Sequence, residues 1–483
     1  MTKENSYPYY KKLALVLGPL LFLSFLFLSP DNELQLYQVY GISSWMIIWW
    51  MAEVVPIYIT AMLPMIIFPS LGLFSIKDTF VPYANPIIFL FMGGFIIALA
   101  MEERKLHIRM ALFIIKLTGT KPLGILIGMM LSTAFLSMWI SNTATTVMML
   151  PIALSVLNLL KHQDRSNQKE FETFALALLL AIAYAANIGG TMTIIGTPPN
   201  VVFAGLFQEH HHIEIGFGQW MLVGVPTGIL LLSITYLLLT KVLLKIQLTE
   251  IDGSAALFER KRLELGKMEK GERMVLIVFL LTAFLWIFKS QINVLLGSPI
   301  LHNTTIAMFG GLLMFLLPVN LNKGEFVLNW KAITRLPWGI LILFGGGLSL
   351  AAAFAQVGLV SNVGNWLAEN VSASIFILGF TLIAVSIFAT EIMSNVALVT
   401  VMLPVVIAIS EGMGISPYEI TIPVTLAASC AFMMPISTPP NAVVFSSGLI
   451  KMPQMAKIGL VLNLISVVVL AVLVPCLISF VFV

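Results

Sequence analysis

Long apolar runs alternate with short polar connections along almost the whole chain. Runs near 13–29, 37–52, 54–75, 84–101, 171–200, 219–246, 274–294, 304–318, 338–355, 420–445 and 458–481 are each close to the ~20 residues that carry a helix across hydrocarbon. Two further stretches, 122–160 and 374–409, each hold two apolar arms of about 17 residues around a polar midpoint. The pattern predicts an all-α membrane protein with eleven spans and two hairpins. It leaves open whether each hairpin is re-entrant or a pair of short full spans. Leu13 to Leu28, after Lys11 and Lys12, has the form of a signal peptide. Ser29-Pro30-Asp31 makes a poor cleavage site, so the stretch is read as a retained first helix.

The polar midpoints repeat. Ser141-Asn142-Thr143-Ala144 recurs as Ser394-Asn395-Val396-Ala397, and Phe91-Met92-Gly93-Gly94 as Phe344-Gly345-Gly346-Gly347, both at an offset of 253 residues. Thr197-Pro198-Pro199-Asn200 recurs as Thr438-Pro439-Pro440-Asn441 at an offset of 241. Agreement in order, spacing and identity defines an internal duplication. The units are 37–246, with hairpin 122–160, and 274–483, with hairpin 374–409. An N-terminal first helix (1–36) precedes them and a charged linker (247–273) joins them.

Charge orients the two units. Lys and Arg concentrate in cytoplasmic loops. The first unit has Arg104, Lys105, Arg109, Lys116 and Lys121 near 102–121, and Lys161, Arg165 and Lys169 in 161–170. The matching loops of the second unit, 356–373 and 410–419, have no Lys or Arg but carry Glu369, Glu411 and Glu419. Loop 201–218 has no Lys or Arg, whereas its partner near 446–457 has Lys451 and Lys457. The units are therefore expected to cross the bilayer in opposite senses, an inverted-topology repeat. The N-terminus and linker fall in the cytoplasm and the C-terminus outside.

Composition narrows the class. Of 483 residues 59% are hydrophobic and 10% charged, against about 25% charged in a soluble domain. The net charge of +3 comes from loop residues and points to no nucleic acid. No nucleotide-binding loop, nucleophile–base pair or metal cluster stands within the spans. The chain therefore reads as a transporter driven by gradients, not an enzyme, with no organic cofactor.

The repeated motifs suit a small anion. Ser, Asn and Thr supply hydroxyls and amides. The second arm of each hairpin begins just after its motif, where unpaired backbone N–H groups carry partial positive charge. Paired prolines remove two donors and free nearby carbonyls, which suit a hard cation. No Lys or Arg lies near the motifs. A helix terminus contributes about 0.3–2 kcal/mol toward an anion, whereas dehydrating a carboxylate costs several kcal/mol. Bound cations, sodium above all, are expected to complete the balance.

Blander readings apply elsewhere. The Gly-rich blocks read as close helix packing, the methionines at 129–130 and 148–149 as core, and Cys430 and Cys476 as packing residues. His210-His211-His212 beside Glu209 reads as a solvated face of an external loop. Glu53 and Glu391 stand in apolar stretches as functional candidates, and Glu391 is equally well a hydrogen-bonded scaffold residue.

The doubled Ser-Asn-Thr and Thr-Pro-Pro-Asn motifs resemble those of the divalent anion/sodium symporter family, carriers of succinate, malate, fumarate, 2-oxoglutarate and citrate. The resemblance covers nearly the whole chain. It implies eleven transmembrane helices, two re-entrant hairpins, a homodimer in the plasma membrane, and a transport domain moving elevator-fashion against a scaffold. It further implies substrate contacts from Asn142, Thr143, Asn395, Thr438 and Pro439. One sodium would sit with Ser137, Ser141, Asn142 and a carbonyl of Gly189 or Gly190, and a second with Thr390, Met393, Asn395 and Ser437. One departure stands out: Val396 occupies the second motif's Thr position, removing a hydroxyl. Some members exchange dicarboxylates without sodium, so sodium-independent exchange on the same site is an alternative reading of this chain, as is carriage of an inorganic divalent anion such as sulfate.

Overall fold

The computed structural model describes residues 8–163, 168–359, 362 and 374–482. Arg165 and Glu369, which entered the charge argument, lie outside the described residues. The protein is built almost wholly of helices; its one strand pair, Pro318–Asn320 with Glu325–Phe326, is a short surface ribbon. Eight described helices are long and apolar enough to cross a membrane. Lys270–Ile287 and Lys289–Leu296 add a ninth if counted as one span, bent by 71°.

Local chemistry sets the helix ends. Helix Pro86–Glu103 starts where the Asn85 side chain accepts from the Ile87 N–H, with proline in the first turn, where a missing donor costs nothing. Thr197 and Thr438 each precede a Pro-Pro pair that opens a new helix, Pro198–His211 and Pro439–Phe445. Outer faces stay apolar: Leu460, Leu464, Val468 and Val472 form an exposed stripe on Met452–Val481, the reverse of a soluble protein and fitted to lipid.

The structure corrects several expected boundaries. The run 54–75 is two short helices, Ile57–Thr60 and Leu63–Ser70. The run 171–200 ends as a helix at Thr191, and 420–445 ends at Ala427 before restarting at Pro439. Loop 102–121 contains the helix Leu106–Thr118, and the linker contains Ser254–Leu265. The expected external loop 201–218 is mostly the helix Pro198–His211, with Val201, Phe203, Leu206 and Phe207 buried. His210 and His211 are consequently not a solvated face. Their Nε2 atoms are buried, and the His211 ring packs 4.6 Å from that of Phe207. Glu53 sits past the end of Leu34–Ala52 at φ 44°, with its side chain exposed. It closes a helix rather than standing in a span.

Polar contacts between the halves join loops expected on the same membrane side. Arg104 pairs with Glu325 at 3.0 Å, Arg109 with Glu272, and Arg335 with Glu103 at 2.5 Å. At the other end Lys289 pairs with Glu214 at 3.0 Å, and the Asn303 amide donates to the Ile215 carbonyl.

The glycine blocks are close-packing surfaces. A Cβ on Gly93 would lie 2.5 Å from the Ala307 carbonyl carbon, and one on Gly346 2.4 Å from the Ala61 carbonyl oxygen. Overpacking costs about 1–3 kcal/mol, and here the obstacle is backbone. Gly346→Val is expected to lower the melting temperature of the purified protein by several degrees, read by scanning fluorimetry.

Candidate functional site

Each hairpin has a helical arm, a turn and a second helical arm. The first is Pro122–Ser137 and Asn142–Gln163; the second is Ile375–Ala389 and Asn395–Gly412. Proline stands inside both second arms, at Pro151 and Pro404. The Ser-Asn motif opens the second arm in both. Ser141 Oγ accepts from the Ala144 N–H at 3.2 Å and so caps the helix. The hydroxyl oxygen keeps a second lone pair beyond this bond.

Ser137 Oγ lies 2.8 Å from the Ala186 carbonyl oxygen. One amide atom of Asn142 stands 2.5 Å from Ser137 Oγ, 3.3 Å from Ala186 O and 3.2 Å from Gly196 O. With nitrogen in that position, Asn142 donates to both carbonyls. With oxygen there, four oxygens share a single hydroxyl hydrogen, which is the environment of a small cation. Gly190 leaves room for this, since a Cβ there would meet Asn142 Oδ1 at 2.5 Å. Gly189 instead packs on the first arm, its Cβ position 2.3 Å from Ala134 O.

The second half repeats the arrangement. Thr390 Oγ1, at the position matching Ser137, lies 2.7 Å from both Asn395 Oδ1 and the Ala428 carbonyl oxygen, with one hydroxyl hydrogen to share between them. Among the described residues no three His, Cys, Asp or Glu side chains gather into a metal centre. Both clusters offer hydroxyl, amide and carbonyl oxygens, which fit a hard alkali cation. Met393 is half-buried in the turn. Ser437 points elsewhere: its hydroxyl donates to Glu391.

The breaks after Thr191 and Ala427 are tied in the same manner. Asn200 Nδ2 donates to the carbonyls of Gly190, Thr191 and Thr193, at 3.3, 3.3 and 2.7 Å. Asn441 Nδ2 donates to those of Ala431 and Met434, at 3.1 and 3.0 Å. The last residue of each Thr-Pro-Pro-Asn motif thus satisfies carbonyls that unwinding frees.

The halves meet at Asn187, one residue past Ala186. Asn187 Nδ2 lies 3.1 Å from Thr438 Oγ1, 3.2 Å from Ala431 O and 3.4 Å from Asn441 Oδ1. Tyr184 donates to the Phe432 carbonyl at 2.9 Å. Pro439–Phe445 packs on the second arm of the first hairpin, and Pro198–His211 on that of the second. The structure thereby places Asn142 with Ser137, Asn395 with Thr390, and Thr438, followed by Pro439, against Asn187. Thr143 lies half-buried at the first tip, and Val396 is buried, packed rather than presented. Sequence reasoning missed Asn187 and Tyr184; the signal was a lone amide in the apolar run 174–191.

Glu391 is resolved as a scaffold residue. Its carboxylate accepts from the backbone N–H groups of Phe432, Met433 and Met434 at 2.7, 2.9 and 3.1 Å, from Ser437 Oγ and from Asn463 Nδ2 at 2.8 Å.

A surface cavity of about 990 Å³ beside Arg104, Lys323 and Trp330 is lined by none of the motif residues. A cavity of about 380 Å³ reaches the first tip at Ile140, Ala144 and Thr145, with Lys105 and Arg335 at its rim.

The family model for the sodium:sulfate symporter transmembrane region matches residues 10–481. The chain belongs to the divalent anion/sodium symporter family. Among relatives of this symporter is the sodium-dependent dicarboxylate transporter SdcS of Staphylococcus saprophyticus, 41% identical over 98% of this chain and 92% of that one. SdcS of Staphylococcus aureus strain USA300 is 39% identical over 95% and 89%. In fold the symporter is similar to the YdaH transporter of Alcanivorax borkumensis, with TM-score 0.60 and 14% identity over 98% and 99% of the two chains. MtrF of Neisseria gonorrhoeae has TM-score 0.60 and 13% identity over 98% and 95%. At those identities the likeness concerns fold alone.

Proposed function

We propose that this protein is a sodium-coupled carrier of C4 and C5 dicarboxylates such as succinate, malate, fumarate and 2-oxoglutarate. The observation that carries the reading is the pair of matched oxygen clusters, one in each half, flanking the Asn187–Thr438 junction. Asn142 and Asn395 begin helices, so their tips offer unpaired N–H groups to a carboxylate at either end of the substrate. Sodium ions in the clusters would bring positive charge within reach of the dianion. In this scheme Ser137 and Asn142 hold one ion with carbonyls of Ala186 and Gly196, while Thr390, Asn395 and the Ala428 carbonyl hold the other. Thr143, Thr438 and Pro439 complete the substrate seat.

The same reading takes the chain as eleven spans with two re-entrant hairpins, in two inverted units, working as a plasma-membrane homodimer by an elevator motion. The N-terminus is cytoplasmic and the C-terminus extracellular. Unequal environments of matched residues support alternating access. Trp139 and Ile195 are buried, whereas their counterparts Ile392 and Ile436 are each 82% exposed.

Purified protein in liposomes is expected to accumulate labelled succinate when sodium is outside and the lumen empty. Replacing sodium with choline lowers the initial rate at least tenfold. Unchanged uptake without sodium in vesicles preloaded with dicarboxylate would replace symport by exchange.

A further inference from the structure

Glu391 is buried and takes part in none of the ion pairs among the described residues. Three successive backbone N–H groups, a hydroxyl and an amide surround it, and such runs of N–H groups form concavities for anions. Hydrogen bonds satisfy the oxygens but leave the formal charge unbalanced. The second oxygen cluster shares its two chain segments with Glu391, since Thr390 bonds Ala428 and Glu391 bonds Phe432. Glu391 follows Thr390 directly in the chain, and the N–H groups it gathers begin four residues after Ala428. The first cluster has no such charge, because the residue matching Glu391 at the 253-residue offset is Met138.

We propose that Glu391 makes the two sodium sites unequal. The site of Thr390, Asn395 and Ala428 fills first and holds its ion more tightly, and the site of Ser137, Asn142 and Ala186 fills at higher sodium. The inference rests on the two-site reading above and adds an order to it. Glu391 acts as a positioning residue in two ways: its charge would favour a cation held by the neighbouring Thr390, and its grip on Phe432 to Met434 holds the Ala428 end of the break in place. A carboxylate that only closed off the three N–H groups would do the second and not the first.

The test measures thermal unfolding of the purified full-length protein in detergent without substrate. Sodium chloride is exchanged for choline chloride at constant ionic strength. Ser137→Ala is expected to keep a sodium-dependent stabilisation with its midpoint at low sodium. Thr390→Val is expected to keep only one with a midpoint roughly tenfold or more higher, the scale of a nearby charge at moderate dielectric. Glu391→Gln, which retains an acceptor oxygen for the N–H groups, moves the low-sodium midpoint up by a similar factor. Equal midpoints in Ser137→Ala and Thr390→Val overturn the proposal, even where Glu391→Gln fails to fold. So does a folded Glu391→Gln protein with the wild-type sodium response. If neither Ser137→Ala nor Thr390→Val alters the response to sodium, the two-site reading itself has failed.

Discussion

Asn142→Ala and Asn395→Ala are each expected to lower sodium-driven succinate uptake at least about a hundredfold while leaving the amount of protein in the membrane near wild type. The argument runs from what each amide touches. In the first half the amide meets Ser137, Ala186 and Gly196 together. In the second it meets Thr390, which also bonds Ala428. Alanine removes an oxygen from the proposed ion site and a polar group from the substrate seat at once. Losing hydrogen bonds to charged partners costs about 1.5–3 kcal/mol each, and every 1.4 kcal/mol is about a factor of ten. Abundance is spared because both asparagines are only half-buried, and Ser141 still caps its helix. The measurement is initial-rate uptake in proteoliposomes, normalised to protein by quantitative blot. Rates within threefold of wild type for either variant would remove that tip from the site.

Asn187→Leu should be damaging in a different manner. Leucine fills much of the space but removes the donor from two buried acceptors, Thr438 Oγ1 and Asn441 Oδ1, while Ala431 O keeps only its bond from Asn441 Nδ2. An unsatisfied buried group costs about 1–3 kcal/mol, so both stability and transport are expected to fall. A drop of several degrees in melting temperature and at least a tenfold loss of uptake are the expected results. Tyr184→Phe, which frees only the Phe432 carbonyl, serves as the milder comparison. If Asn187→Leu transports as well as Tyr184→Phe, the junction between the halves is not where substrate is held.

Much of this was legible in the chain because the duplication is written in polar residues against an apolar background. The 253-residue offset aligned Ser137 with Thr390 and Asn142 with Asn395, and those pairs make matching hydrogen bonds. Close packing at Gly93 and Gly346 was legible for a related reason, since a run of glycines has few other uses in a buried helix. Helix ends were less so. Hydropathy cannot distinguish an apolar helix from an apolar stretch that unwinds, so the breaks after Thr191 and Ala427 were placed late. The helix Pro198–His211 was read as a loop because histidines and glutamate at its end outweighed the apolar residues before them. The bonds of Ser141 to the Ala144 N–H and of Ser437 to Glu391 were not legible, because a hydroxyl serves caps and carboxylates as readily as ions. Glu391 could not be decided at all without seeing that five donors converge on it.

The way the halves cross has a consequence for how the molecule could be assembled. Each half carries its own oxygen cluster, but each restarted helix lies against the other half's hairpin, and Asn187 reaches over to Thr438. The linker helix Ser254–Leu265 leans on the first half, with Ser254 Oγ donating to the Thr120 carbonyl. A cut near Gly266 would therefore sever no contact of the seat. Two separately translated fragments ending and starting there should reconstitute a working carrier when made together, whereas either fragment alone would possess an ion cradle with nothing to close over its cargo.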